Sequence, residues 1–478
     1  MPADRPHPRL RRDLPGERGG EDDFHPVELQ EPLDELARDP THFAHDLKFP
    51  PPEKIRIYDD TLRDGEQMPG VAITPKNKYE LARMLSDIGV HVMDVGFPSV
   101  SEGERETLRL VLGGRKRGEL RPDLEVVCMM RSTQGDIDAT MRVIDSLGFQ
   151  RDEVTYFIFT SASDLHVKYK LGKTLLHRDG LPESEWLELP VSYYREANIR
   201  MMCEAIRYAR EQGATSIEFG GEDGSRADVD YIGEIHREGM KAGGTRPSTP
   251  DTVGCYSPFA VREYIPAIKA AAPDAPLVVH FHNDLGLGAW NTVMALGSGA
   301  EVFTTSVNGI GERTGNAPMH QVLLQLRYLF GIEIPGFHYE KLRTLARALE
   351  KMSGIPVQPT EPGIGLNVFS HESGIHTAGM LIHPAIYQFI PPSDLGAEIA
   401  YVYGKHSGAL VIEHALRHAG IRPEPELVAR VLAEVKRVRE ERAERNDFSD
   451  FHKRYYDHLN QMGLTADEVV DIAKALSA

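Results

Sequence analysis

Residues 277–284 read LVVHFHND: three apolar side chains, then His280, Phe281, His282 and two polar groups. A short apolar, β-branched run of this kind suits a strand buried on both faces, as in a parallel sheet. Its polar groups crowd the C-terminal end. Five similar runs precede it, at 54–60 (KIRIYDD), 91–98 (HVMDVGFP), 124–130 (LEVVCMM), 153–160 (EVTYFIFT) and 216–223 (SIEFGGED). A weaker one follows them at 245–254 (TRPSTPDTVG), and a last one lies at 301–310 (EVFTTSVNGI). Helical patterns such as 76–88 and 198–211 fall between them. Eight strands alternating with helices over about 260 residues predict an α/β fold, a (β/α)8 TIM barrel. A doubly wound open sheet would place a phosphate loop after the first strand, and DDTLRDGEQMPG at 59–70 does not match one.

The 478 residues exceed one barrel. Residues 1–52 form a Pro- and charge-rich tail, with 27–36 able to make a short helix. Residues 53–335 hold the barrel, and the connection at 161–196 is long enough to build a substrate wall or lid. It carries Lys168, Lys170 and Lys173. After about residue 336 the strand pattern stops. Residues 336–395 read as a linker subdomain of helices and loops, and 396–478 as a C-terminal helical region. There Leu427, Val428, Val431, Leu432, Val435 and Val438 share one helical face.

Composition narrows the class. A net charge of -18 argues against a nucleic-acid partner. No apolar run reaches the roughly 18 residues of a membrane helix. The basic N-terminus lacks the apolar segment of a secretory signal. Cys128, Cys203 and Cys255 are odd in number and widely spaced, which fits a reducing compartment and a cytoplasmic location.

The chemistry concentrates at strand ends. His280 and His282 point to the same side of their strand. Two buried imidazoles need partners, which a metal or a pair of core hydrogen bonds could supply. The first strand runs into Asp59-Asp60-Thr61-Leu62-Arg63-Asp64-Gly65-Glu66-Gln67, at the barrel end where active sites lie. A carboxylate there and two histidines from another strand make a mixed oxygen and nitrogen set suited to Mg2+, Mn2+ or Zn2+ with positions left for substrate. After the eighth strand, residues 308–316 read NGIGERTGN. Their spacing is not a dinucleotide fingerprint.

LRDGEQ, HFHND and NGIGERTGN, in this order, resemble the isopropylmalate synthase and homocitrate synthase family, the acyl-CoA-condensing branch of the DRE-TIM metallolyases. The likeness spans about 55–408. It implies that Asp64, His280, His282 and Asn316 hold a divalent metal. It implies catalytic roles for Arg63, Glu222, His376 and Tyr387, and substrate contacts for Arg63, Gln67 and Thr252. It further implies a metal-dependent Claisen condensation of acetyl-CoA, or another acyl-CoA, with a 2-oxo acid. A homodimer follows, because in that family the C-terminal subdomain reaches over the partner's barrel.

Within the resemblance, the base remains open among Glu222, His376 and Tyr387. GFPSVSEGERE, GGEDGSRAD and YGKHSG look closer to homocitrate synthases than to leucine-pathway enzymes, and the chain ends without a large regulatory domain. Asp64 stands where lysine-pathway homocitrate synthases carry Glu, which keeps other acidic 2-oxo acids open, a phosphonate among them. The competing reading is a related lyase that cleaves a 3-hydroxy-acyl-CoA by retro-aldol chemistry; such lyases lack the His/Tyr subdomain. A non-catalytic binding barrel is the third, and the intact set Asp64, His280, His282 and Glu222 speaks against it.

Overall fold

The computed structural model describes residues 27–31, 36, 47–445, 448–460 and 462–477. Eight parallel strands close into a barrel in sequence order: β1 (Arg56–Asp59), β2 (Val92–Asp94), β3 (Glu125–Arg131), β4 (Thr155–Ser161), β5 (Ser216–Glu222), β6 (Arg246–Asp251), β7 (Val278–Phe281) and β8 (Val302–Thr305). Six lie inside their expected runs, and β3 and β4 each extend one residue further, to Arg131 and Ser161. β1 closes on β8 with Arg56 opposite Val302 and Asp59 opposite Thr305. Parallel order sends every C-terminal end to one mouth, which brings the ends of β1 and β7 to the same rim. Below the rim the barrel is filled by Tyr58, Val92, Val127, Val278 and Val302, all buried.

Helices cover the barrel where the sequence signals them. The helix Pro75–Ile88 starts at a Thr74 cap with proline in its first turn and stops at Gly89, φ 107°. The helix expected at 198–211 begins earlier, at Val191, after a proline. The long connection after β4 is not an irregular loop. It holds a π-helical turn, His166–Lys170, and the short helix Gly172–Arg178. Neither is long enough to show a period in the sequence.

The chain divides into two compact units. One comprises 43–338 and 344–356 and contains the barrel; the other comprises 1–42, 339–343 and 357–478. In the second unit the expectation that strands cease needs correcting. Two-residue strands β9 (Ser370–His371) and β10 (Ala400–Tyr401) pair in parallel, too short to leave a pattern. The helix Pro425–Arg445 carries the expected apolar face, with Val428 buried and Leu427, Val431, Leu432, Val435 and Val438 partly so. In the N-terminal tail, residues 27–31 are not helical, and the rest of the helix expected at 27–36, apart from Leu36, lies outside the described residues. Among the described residues, no helix is long and apolar enough to cross a membrane.

One buried cation ties two rim loops to this frame. Lys78, 1% exposed, sits 2.5 Å from both Glu66 and Glu104. Glu66 also accepts from the Ile73 amide at 2.7 Å, and Glu104 from the Phe97 amide at 2.8 Å. The Glu104 carboxylate occupies the space that a side chain at Gly96 would need, and Gly96 adopts φ 129°. Removing one partner from such a buried network leaves charge uncompensated. Lys78→Met is therefore expected to destabilise the barrel by about 3 kcal/mol, the lower end of that range because both carboxylates keep some solvent contact. Denaturant titration of the variant against the parent checks this.

Candidate active site

The rim residues converge on one cavity of about 300 Å3. β1 ends at Asp59, whose carboxylate accepts from the Thr61 amide (3.0 Å) and hydroxyl (2.8 Å). The Thr61 hydroxyl oxygen in turn accepts from the Val307 amide at 2.8 Å, which pins the β1 loop to the β8 loop. A tight turn, Gly65–Gln67, then presents Arg63 and Asp64 to the interior.

Asp64, His280 and His282 come together there, all buried, with candidate ligand atoms all within 4.8 Å of one another. His280 is oriented from behind. Its Nδ1 is 2.7 Å from the Thr304 hydroxyl and 3.1 Å from Asp60 Oδ2, while Nε2 faces Asp64 at 3.7 Å. The His282 ring centroid lies 4.8 Å away, at 70° to the His280 ring. Asn316 bridges His282 through the backbone, and its side-chain amide donates to Asp60 Oδ1 at 3.2 Å. The turn that delivers Asn316 requires Gly315: at φ 89°, a Cβ there would lie 1.8 Å from the Gly309 carbonyl oxygen.

Electrostatics sharpen the contrast between the two histidines. Burial lowers the His280 pKa, but the hydrogen bond and charge of Asp60, with Asp64, outweigh it and leave it raised. Burial and the neighbouring His280 push His282 down to about 3, which keeps its imidazole neutral at physiological pH. Burial opposes ionisation of Asp64, yet Arg63 and both histidines hold its carboxyl well below the usual range. Arg63 is clamped between Asp64 (Nη1, 2.7 Å) and Asp94 (Nε, 2.7 Å). Burial lifts Asp94 to about 6 against the pull of Arg63.

These residues fit a divalent cation. Asp64 Oδ1, His282 Nδ1 and Asn316 Oδ1 are buried without a hydrogen-bond partner. Buried polar atoms in folded proteins are normally satisfied. A carboxylate, two imidazoles and an amide oxygen form the donor set expected of such an ion, and Asp60 and Thr304 supply the outer partners that orient a ligating histidine.

Of the other expected residues, Arg63, Gln67, Glu222 and Thr252 line the same cavity. Thr252 Oγ1 accepts from the Asp223 amide at 2.8 Å, which leaves its proton free to donate. His376 and Tyr387 belong to the second unit, where their ring centroids lie 4.3 Å apart with the planes tilted by 32°. Other residues at the site had no role assigned from the sequence. Lys170, on the π-helical turn, pairs with the Glu222 carboxylate. Arg313 is held by Asp284 through two contacts of 2.8 Å and donates to the Thr252 carbonyl at 2.7 Å. Asp94 and Thr304 are hidden in short strands. A lone polar residue at an inward strand position was the only clue to them.

A closed parallel barrel with a carboxylate, paired imidazoles and a clamped arginine at its C-terminal mouth is the architecture of a metal-dependent barrel enzyme. The HMGL-like family matches residues 54–177 and 184–348, and the homocitrate synthase post-HMGL domain-like family matches 364–443. The chain is 36% identical to homocitrate synthase AksA of Methanopyrus kandleri, over 83% of this chain and 90% of that one. It is 38% identical to a probable 2-isopropylmalate synthase of Ignicoccus hospitalis, over 81% and 88%. It is 36% identical to a putative (R)-citramalate synthase CimA of Methanopyrus kandleri, over 81% and 69%. The chain belongs to the isopropylmalate synthase and homocitrate synthase family.

Asp64→Asn is expected to remove stoichiometric divalent metal after dialysis. Thr304→Val should weaken metal binding by about 10- to 100-fold while leaving the fold intact. Metal content by mass spectrometry, alongside circular dichroism, tests both; full occupancy in Asp64→Asn contradicts the assignment.

Proposed function

We propose that the protein joins an acyl-CoA, acetyl-CoA first among candidates, to a 2-oxo acid in a metal-dependent Claisen condensation, giving a 2-hydroxy-2-alkyl acid and CoA. The observation that supports this most is the convergence of Asp64, His280, His282, Arg63 and Glu222 on one cavity, in a chain whose curated relatives are named as synthases of this type.

A divalent cation held by Asp64, His280, His282 and Asn316 would bind the 2-oxo acid and make its C2 carbon more electrophilic. Arg63, locked by Asp64 and Asp94, presents its charge without reorganisation to the alkoxide that develops at C2. Thr252 can donate its free proton to the substrate carboxylate. A base removes a proton from the acyl methyl group as its carbon bonds to C2, and the alkoxide takes up a proton. Water then cleaves the thioester and releases CoA, which makes the sequence irreversible. Glu222 lines the cavity, while His376 and Tyr387 form a ready pair in the second unit; the base is one of these three. The reading carries a homodimer and a cytoplasmic location with it.

Purified protein with Mn2+, acetyl-CoA and a panel of 2-oxo acids should release free thiol with at least one acceptor, and a chelator should abolish release. No release with any acceptor refutes the condensation. Arg63→Lys should lower kcat by about 100- to 1,000-fold, the effect typical of losing one preorganised transition-state contact. Steady-state kinetics of the folded variant measures it.

A further inference from the structure

We infer that the acceptor is a 2-oxo acid whose side chain ends in hydrocarbon rather than in a carboxylate or phosphonate. This rests on the condensation proposed above, and it runs against the motif likeness to homocitrate synthases.

The cavity wall formed by the ends of β2 to β4 is apolar. Phe97, Met129, Phe157 and Phe159 line it. Met129 lies directly opposite Phe157 in the ladder, and the Phe97 and Phe159 rings meet edge to face at 6.2 Å. All four are only partly buried, whereas their strand neighbours Met130 and Ile158 are fully enclosed. Hydrocarbon surface left bare inside a barrel mouth is what a ligand's apolar group covers.

Charge points the same way. Each cation among the described lining residues is already paired: Arg63 with Asp64 and Asp94, Lys170 with Glu222, and Arg313 with Asp284. Glu218 also lines the cavity, its carboxyl pushed up to about 7 by burial against the pull of Arg246, and that arginine, 2.7 Å away, does not line the cavity. Arg131 lies over the Phe97 ring at 5.7 Å, but its nitrogens bond Asp136 and its side chain is 61% exposed. A second anion on the acceptor would therefore meet hydrocarbon and a carboxylate with no unpaired cation to receive it. A site that leaves a buried charge without a partner rejects it more strongly than it rejects a change of shape.

The test uses isosteric pairs at two chain lengths: 2-oxo-4-methylpentanoate against oxaloacetate, and 2-oxo-5-methylhexanoate against 2-oxoglutarate. Titration calorimetry on the Mn2+-loaded protein reads binding, and thiol release with acetyl-CoA reads turnover. At least one branched acid should bind about tenfold or more tightly than its anionic partner. Equal or tighter binding of the dicarboxylates, or no binding of either branched acid, overturns the inference. Preferential binding without thiol release leaves the apolar pocket standing and removes the condensation. Phe159→Arg should shift the binding ratio toward the dicarboxylate. A Phe159 that served only packing would lower stability and leave that ratio unchanged.

Discussion

Three buried polar atoms without hydrogen-bond partners set the terms for the rest of this molecule. Asp64 Oδ1, His282 Nδ1 and Asn316 Oδ1 sit at the barrel mouth with no hydrogen-bond partner among the described residues. Such groups cost free energy unless a ligand engages them. The surrounding structure is organised so that this cost does not scatter the cluster. Thr304 and Asp60 hold one face of His280, so its other nitrogen faces Asp64. Arg63 answers the negative charge of Asp64, and Asp94 fixes Arg63 from the far side. The rim thus holds a carboxylate and two imidazoles in a fixed frame, an arrangement suited to a cation.

Rigidity comes from bonds that cross between loops far apart in sequence. Thr61 links the β1 loop to the β8 loop through the Val307 amide. Lys78 fastens the β1 and β2 loops from below by way of Glu66 and Glu104. A site built only on loops would let Arg63 follow its strongest local charge. Here each loop is held by a side chain with its own buried partner, so the arginine stays between two carboxylates.

How far the sequence revealed this depended on length and burial. The barrel was legible because strands buried on both faces are continuous apolar runs, and eight of them in order leave few alternatives. β6 was faint because Pro247 and Pro250 interrupt it, yet Pro247 still pairs with Phe219 in the closed sheet. The π-helical turn and the two-residue strands β9 and β10 were illegible, since each is too short to repeat its period. In the site, Asp64, His280 and His282 announced themselves as polar groups clustered at strand ends. Asn316, His376 and Tyr387 came from the resemblance alone. Lys170, Asp94 and Thr304 gain their meaning only from partners 20 or more positions away, and spacing within one sequence does not show such partners.

The charge balance of the cavity links the candidate metal to the substrate it selects. The lining cations Arg63, Lys170 and Arg313 are each already paired with a carboxylate. A divalent ion held by Asp64 and the histidines, as proposed, would add positive charge at that one point. On the proposed reading the carboxylate and carbonyl of a 2-oxo acid would be drawn to that point, and Thr252 lines the same cavity. The rest of the acceptor must then extend into what remains, which is the aromatic wall from β2 to β4. Selectivity in this arrangement follows from concentrating positive charge in a single place. The group that chelates is fixed by electrostatics, and the group that does not is left to hydrophobic contact.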